Sequence, residues 1–282
     1  MGVTKPPWQR SWLYRAPGET PTLLWIIGIH VASVVGLVLL PMPSWWVIAL
    51  GLALVWLGGL GTTVAYHRAL AHKSVVLSPI VESTLVFFAM FNGSGNPLTW
   101  VANHRFHHAH ADKDGDVSSP RHGGFWWAHL RWLWQAEQAQ PARYCPDLVK
   151  RNYRRWGRAQ VPVLALSVFG GLLAWPFIGW PGALAACLVL GPLRLVFALH
   201  VQCSVNSLCH LGPLAVAHGS ALNVAWMTPF HLGQGENWHA NHHVCANDAR
   251  LGQRWWQADA GWWTIALMEK CGLAREVRGR KA

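Results

Sequence analysis

Sixteen histidines stand in this chain, and most are grouped. His67-Arg-Ala-Leu-Ala-His72 is a His-x4-His. His104-Arg-Phe-His107-His108 is a His-x2-His-His, and His239-Ala-Asn-His242-His243 repeats that spacing far downstream. Asn206-Ser-Leu-Cys-His210 sets an amide and an imidazole at i and i+4. On a helix, positions i, i+3 and i+4 share a face, so one His-x2-His-His aims two or three imidazoles at one point. His67 and His72 are five apart and diverge on an ideal α-helix. They converge only if the helix ends or bends there, unless they serve different ions. Imidazole suits iron, copper, zinc and nickel. Nine imidazoles are too many for one ion and about right for two. Asn206 either joins the metal set through water or caps and bridges helices. Isolated histidines usually fill satisfied core positions; His30, His122, His129, His218 and His231 are read that way, and His110 and His200 fall outside the repeated pattern.

Something must carry these groups to one place. Residues 21–40 and 45–66 are apolar stretches of about 20 residues, long enough to cross a hydrocarbon core of about 30 Å. A second pair follows at 159–178 and 182–201, the latter carrying Arg194, which needs a partner or must snorkel. The turns Pro41-Met-Pro43 and Gly179-Trp-Pro181 are short and lack Lys and Arg, which places them outside. The expected fold is therefore an all-α membrane protein, a single domain over 1–282. Four transmembrane helices carry a cytoplasmic helical cap (67–158 and 202–282), with both termini inside. Residues 75–101 are apolar but interrupted by Glu82, Asn92, Asn96 and Pro97. They are read as helix near the interface, because a fifth span would put the histidine groups on opposite sides. Residues 255–273 read as a surface amphipathic helix.

Composition agrees. Apolar residues make up 52% and charged ones only 12%, about half the usual share. The 20 Trp residues suit membrane–water interfaces. The net charge of +11 sits mainly outside the apolar stretches, at Lys5, Arg10 and Arg15, from Arg143 to Arg158, and from Arg275 to Lys281. That pattern fits segments facing anionic membrane lipid rather than nucleic acid. Six cysteines without CxxC spacing suit a reducing compartment. The polar first 20 residues do not read as a signal peptide.

At these residues the chain resembles the membrane fatty acyl desaturases, in particular the delta-9 acyl-CoA and acyl-lipid group. The four histidine elements stand in the family's order. Trp100 before the second group, the acidic stretch Asp112 to Asp116 after it, Gly123-Gly-Phe-Trp-Trp-Ala-His129, Arg143-Tyr-Cys-Pro-Asp147 and Gly235-Glu-Asn-Trp238 are also similar. The resemblance implies a catalytic di-iron centre on His67, His72, His104, His107, His108, His210, His239, His242 and His243, with Asn206 near one metal through water. It also implies an acyl tunnel past the metals, with Trp100 at its bend. The wall departs from many relatives at Gln202-Cys203-Ser204-Val205-Asn206, where they carry a Trp nearby; Cys203 is expected to line the tunnel.

The expected reaction is O2-dependent desaturation of a long-chain fatty acyl group, with a cis double bond at delta-9 favoured. The carrier is CoA, acyl carrier protein or an intact lipid. Removing hydrogens from an unactivated chain needs a redox metal, so iron works where zinc, a non-native occupant, would be inert. No nucleotide, haem or iron–sulfur motif is present in the sequence, so electrons are expected from a separate ferredoxin, rubredoxin or cytochrome b5-type donor. The expected location is a bacterial cytoplasmic membrane with the site on the cytoplasmic side. A hydroxylase or acetylenase on the same scaffold is the alternative enzyme, and a metal transporter or sensor the alternative of another class. Asp112, Asp114 and Asp116 are read as a solvated loop, with headgroup or imidazole orientation as the alternative. Glu236 is a candidate partner for an imidazole N–H; Trp238 and Asn241 receive no chemistry.

Overall fold

The computed structural model describes residues 5–113, 115–215 and 219–279, and it is mostly helical. Asp114, His218 and the end of the basic tail lie outside the described residues. Helix α1 (Thr20–Leu39) and α2 (Trp45–Leu60) form the first pair. Helix α2 runs without a break into a π-helical segment, Gly61–Ala71, so the apolar rod extends over Trp45–Ala71. Leu24, Val31 and Val38 on α1, and Trp45 and Leu52 on α2, leave large apolar side chains exposed. Helices apolar on all sides belong in lipid, and the chain is an integral membrane protein.

Helix α3 (Pro79–Phe91) and α4 (Pro97–His110) follow. The polar residues that interrupt this stretch each have a partner. Glu82 accepts from Arg151 and Tyr153, and the Asn96 side chain caps α4 by accepting from Leu98 N–H at 2.8 Å. Asn92 receives Arg194 at 2.7 Å. Four short helices, α5 (Pro120–Trp126), α6 (Trp132–Gln135), α7 (Pro141–Tyr144) and α8 (Pro146–Lys150), build the segment between the two apolar pairs.

The two later stretches form one helical run, Arg154–Leu208, of 55 residues. As a straight rod it would measure about 80 Å, far more than one crossing needs. It is folded instead. The run comprises α9 (Arg154–Phe169), a tight 3-10 turn (Gly170–Ala174), α10 (Trp175–Leu188), a π turn (Val189–Leu193) and α11 (Arg194–Leu208). Gly179 breaks α10 with φ of 67°, a conformation side chains with a Cβ disfavour. Cys187 Sγ then lies 3.0 Å from Val168 O, and a Cβ on Gly171 would meet the Cys187 backbone at 2.5 Å. The run is thus a hairpin with two closely packed legs. Arg194, buried in the second leg, donates to Leu190 O, Phe91 O and Asn92 Oδ1. Its charge is met by carbonyl and amide dipoles rather than by snorkelling.

Helix α12 (His239–Val244) and α13 (Ala260–Lys270) complete the helices. Among the described residues a two-stranded antiparallel pair, β1 (Val76–Leu77) with β2 (Ala274–Arg275), departs from the all-α expectation. With Ser78 N–H on Leu273 O and Arg278 N–H on Ser74 O, it ties the C-terminal segment to the chain just beyond His72.

Candidate di-metal centre

The π segment explains how the first pair of imidazoles converges. In a π-helix the backbone bonds run i→i+5, so residues five apart stack as i and i+4 do in an α-helix. His72 N–H donates to His67 O at 3.0 Å, and the two rings lie 4.9 Å apart. The helix neither ends nor kinks between them; it widens.

The nine imidazoles fall into two groups: His67, His72, His104, His108 and His242, and His107, His210, His239 and His243. Within each group the ligand atoms lie within 4.8 Å of one another. Each His-x2-His-His is split between the groups, whereas the spacing alone pointed to one target for each. On α4, His104 and His108 enter the first group and His107 the second; on α12, His239 and His243 enter the second and His242 the first. Successive helical residues turn by about 100°. Positions i+3 and i+4 therefore flank position i on opposite sides, and the two triplets face two centres reciprocally. His210, just beyond α11, completes the second group. Asn206, one helical turn before it, lines the adjoining cavity with His107 and His239.

These groups fit metal ions better than they fit each other. His242 Nε2 lies 3.1 Å from His67 Nε2 and 3.0 Å from His108 Nε2. The pairs His72–His104 and His239–His210 meet through Nε2 at 2.7 and 2.9 Å. A neutral imidazole has one donor and one acceptor, so such convergence leaves lone pairs facing one another. Nitrogens held about 2.1 Å from one ion at right angles sit about 3 Å apart. Buried His107 Nε2 has no hydrogen-bond partner among the described residues.

Carboxylates orient the rings from behind. Nδ1 of His67 lies 2.9 Å from Glu236, which also accepts from Thr63. Glu236 stands 4.0 Å from Arg68, and Arg68 bonds Asp259 at 2.8 Å. His107 Nδ1 lies 3.0 Å from Asp116. Asp116 is fully buried and also accepts from Asp112 N–H, Ser118 N–H and Ser118 Oγ. Asp112 holds Ser220 Oγ at 2.6 Å, and Ser220 Oγ sits 3.3 Å from His210 Nδ1. Asp112 and Asp116 are therefore engaged behind the ligand rings rather than solvated. A carboxylate within a dozen residues of a ligand histidine was the signal available for Asp116. Arg68 and Asp259 left no such signal.

Burial, then the neighbouring imidazoles, hold His72, His104, His108, His239 and His242 well below the ordinary histidine range. The same causes bring His243 to about 2, and burial with His107 brings His210 to about 3. His107 differs: burial opposes its charge, but Asp116 outweighs that and raises it. Burial likewise opposes the charge on Asp116 and Glu236, yet His107 and His67 prevail and bring each to about 2. These seven lowered imidazoles favour the neutral form that binds metal, and Asp116 and Glu236 are held ionised beside the site.

A sign follows for the metal-free protein. The seven lowered imidazoles are neutral when folded but protonate in the unfolded chain below about pH 6.5. The unfolded state then binds more protons, so stability falls as pH falls. Between pH 7.5 and 5.5 the unfolding midpoint of chelator-treated protein should drop by more than about ten degrees. Circular dichroism in detergent measures it; a flat profile contradicts the assignment of these rings as neutral.

A cavity of about 620 Å³ adjoins the groups. Pro21, Trp25 and Ile26 of α1, Val55 of α2, and Leu164 and Leu199 of the hairpin line it. Trp100 and Cys203 are also in its wall, with His67, His104, His107 and His239. Trp100 stacks on His104 at 5.0 Å. His110, His122, His129, His200, His231 and His30 lie outside both groups; His231 lines the cavity and meets Ser204 Oγ at 2.9 Å.

The chain is similar in sequence to known proteins. The model of the fatty acid desaturase family matches residues 43–274. The chain is 34% identical over 236 residues to delta-9 acyl-lipid desaturase 2 of Arabidopsis thaliana, covering 79% of this chain and 71% of that protein. It is 33% identical to the sn-2 palmitoyl-lipid 9-desaturase of Nostoc sp. (strain 36), covering 92% of each. It is 32% identical to the acyl-CoA C20 Delta5-desaturase of Anemone leveillei, covering 96% of this chain and 84% of that protein.

Proposed function

Because the chain belongs to the fatty acid desaturase family and is an oxidoreductase of that kind, we propose that it introduces a cis double bond, at delta-9, into a long-chain acyl group carried on a lipid or on CoA. The observation that carries this reading is the division of nine buried imidazoles into two adjoining groups at the wall of a largely apolar cavity. Two iron ions are the proposed occupants, one on each group, with Asn206 reaching the second through water. Bound iron supplies the one-electron redox chemistry and O2 activation that amino acids lack.

The residues do the rest. Trp100 and Cys203 shape the wall against which the acyl chain lies, fixing which C–C bond faces the metals. The apolar lining excludes water. Glu236 and Asp116 hold His67 and His107 through Nδ1 and leave Nε2 for the ions. Electrons come from a separate ferredoxin, rubredoxin or cytochrome b5-type donor, drawn to basic residues on the site's side of the membrane. The proposed topology has four crossings in one domain, with both termini and the metal centre on the cytoplasmic side of a bacterial membrane.

Mass spectrometry of acyl chains from cells expressing the protein with an active donor tests this reading. New products two mass units lighter, with the bond at carbon 9, are expected. Products sixteen units heavier would make the enzyme a hydroxylase, and unchanged lipids would overturn the activity.

A further inference from the structure

Between α12 and α13 the chain turns two tryptophans outward. Trp255 is 94% exposed and Trp256 49%. The Trp256 ring lies 5.3 Å from that of Trp238, edge to face, and Trp238 is fully buried. Trp238 immediately precedes His239, which belongs to the second imidazole group. Its carbonyl accepts from the N–H of His242, which belongs to the first, at 3.2 Å. Two rings thus lead from the surface to the helix that serves both groups.

Hydrogen bonds fix this arrangement. Trp238 Nε1–H donates to Ala258 O at 2.8 Å. Gln257 Oε1 accepts from Gln253 N–H, Arg254 N–H and Asn241 Nδ2–H at 2.8, 2.9 and 3.1 Å. Asn241, between His239 and His242, also donates to Leu251 O at 2.8 Å. The loop is therefore pinned to the ligand helix itself. Exposed Trp beside Arg is the composition of a protein-binding hot spot. Arg254 is exposed and Arg250 half-buried in the same loop, and exposed Arg278 is tied beside them through Ala249 N–H on Arg278 O at 3.2 Å. Asp248 is the acid that accompanies them, so the face is net positive. It lies outside the apolar helical runs Thr20–Leu39, Trp45–Ala71 and Arg154–Leu208.

We propose that the face bearing Arg250, Arg254, Trp255 and Trp256 docks an acidic one-electron donor protein, and that Trp256 and Trp238 carry its electron to α12. This rests on the desaturase reading, whose balance calls for such a donor: R–CH2–CH2–R′ + O2 + 2 e⁻ + 2 H⁺ → R–CH=CH–R′ + 2 H2O. The substrate gives two electrons and O2 takes four. Two dockings supply the difference, each oxidising the donor by one electron, and the two protons come from water. The indoles are neither oxidised nor reduced. Their π orbitals shorten the saturated gap through which the electron tunnels. Charge steers the donor in, and Trp255 packs against it.

The test uses the full chain in lipid nanodiscs. A [2Fe–2S] ferredoxin, a rubredoxin and a soluble cytochrome b5 are the probes, and the tightest binder to metal-free protein is carried forward. Its dissociation constant should rise with salt, and about fivefold or more in Arg254→Glu and in Trp255→Ala. With iron loaded, both variants should raise KM for the donor and keep kcat, and with dithionite as reductant both should form double bonds at the wild-type rate. Trp256→Leu should instead slow electron transfer from saturating donor severalfold, read from the donor's own absorbance in stopped flow, and Trp256→Phe should keep most of that rate. No binding by any probe overturns the docking. So do unchanged dissociation constants in Arg254→Glu and Trp255→Ala, the result for a face that rests on lipid. An unchanged transfer rate in Trp256→Leu overturns the route. If the wild type forms no double bond even with dithionite, the desaturase reading fails, and the binding measurements on metal-free protein still decide the docking.

Discussion

His242→Ala should leave less than about one-thousandth of wild-type turnover and strip iron from the five-histidine group. His242 is nearly fully buried, and its Nε2 sits between those of His67 and His108. Losing a residue that only orients a ligand typically costs 10–100-fold in affinity or activity, and losing the ligand itself costs more. Helix α12 should persist, because His239 and His243 hold it to the second group. Activity and iron content measured on the same preparation check this. Turnover near wild type would contradict the ligand assignment.

The carboxylates give the second large effect. Glu236→Gln and Asp116→Asn should each weaken iron binding by about 10–100-fold, at different ions. Glu236 backs His67 in the first group and Asp116 backs His107 in the second. An amide keeps the shape but replaces one acceptor oxygen with donors. In Asp116→Asn this amide meets backbone and hydroxyl donors that the carboxylate now accepts. Chelator titration followed by metal analysis should find each variant losing one ion first. Equal retention of both ions, at wild-type affinity, would show that these contacts do not support the site.

Much of this was legible in the sequence. The nine histidines are set by spacing, and the four apolar legs by length and composition. What spacing could not supply was helix type. Five-residue separation implies divergence on an α-helix, and only the π segment at Gly61–Ala71 resolves it. The reciprocal split of the two triplets was hidden for a related reason: a shared face says which residues are neighbours, not how many centres face them. Arg194 was visible as a problem, but its partners on Phe91 and Asn92 come from another element. Asp116 looked like loop because loops have no periodicity to read, and its four donors appear only once the loop closes over α4. His30, His129 and His200 are isolated in sequence; His30 and His129 read as ordinary core and His200 as outside the repeated pattern, and only the fold brings the three rings into contact.

Iron per chain, quantified on protein purified without oxygen from iron-supplemented cells, bears most directly on the di-metal centre. Two irons in the wild type and about one in His242→Ala are expected. A fully active wild type with one iron or none would contradict it.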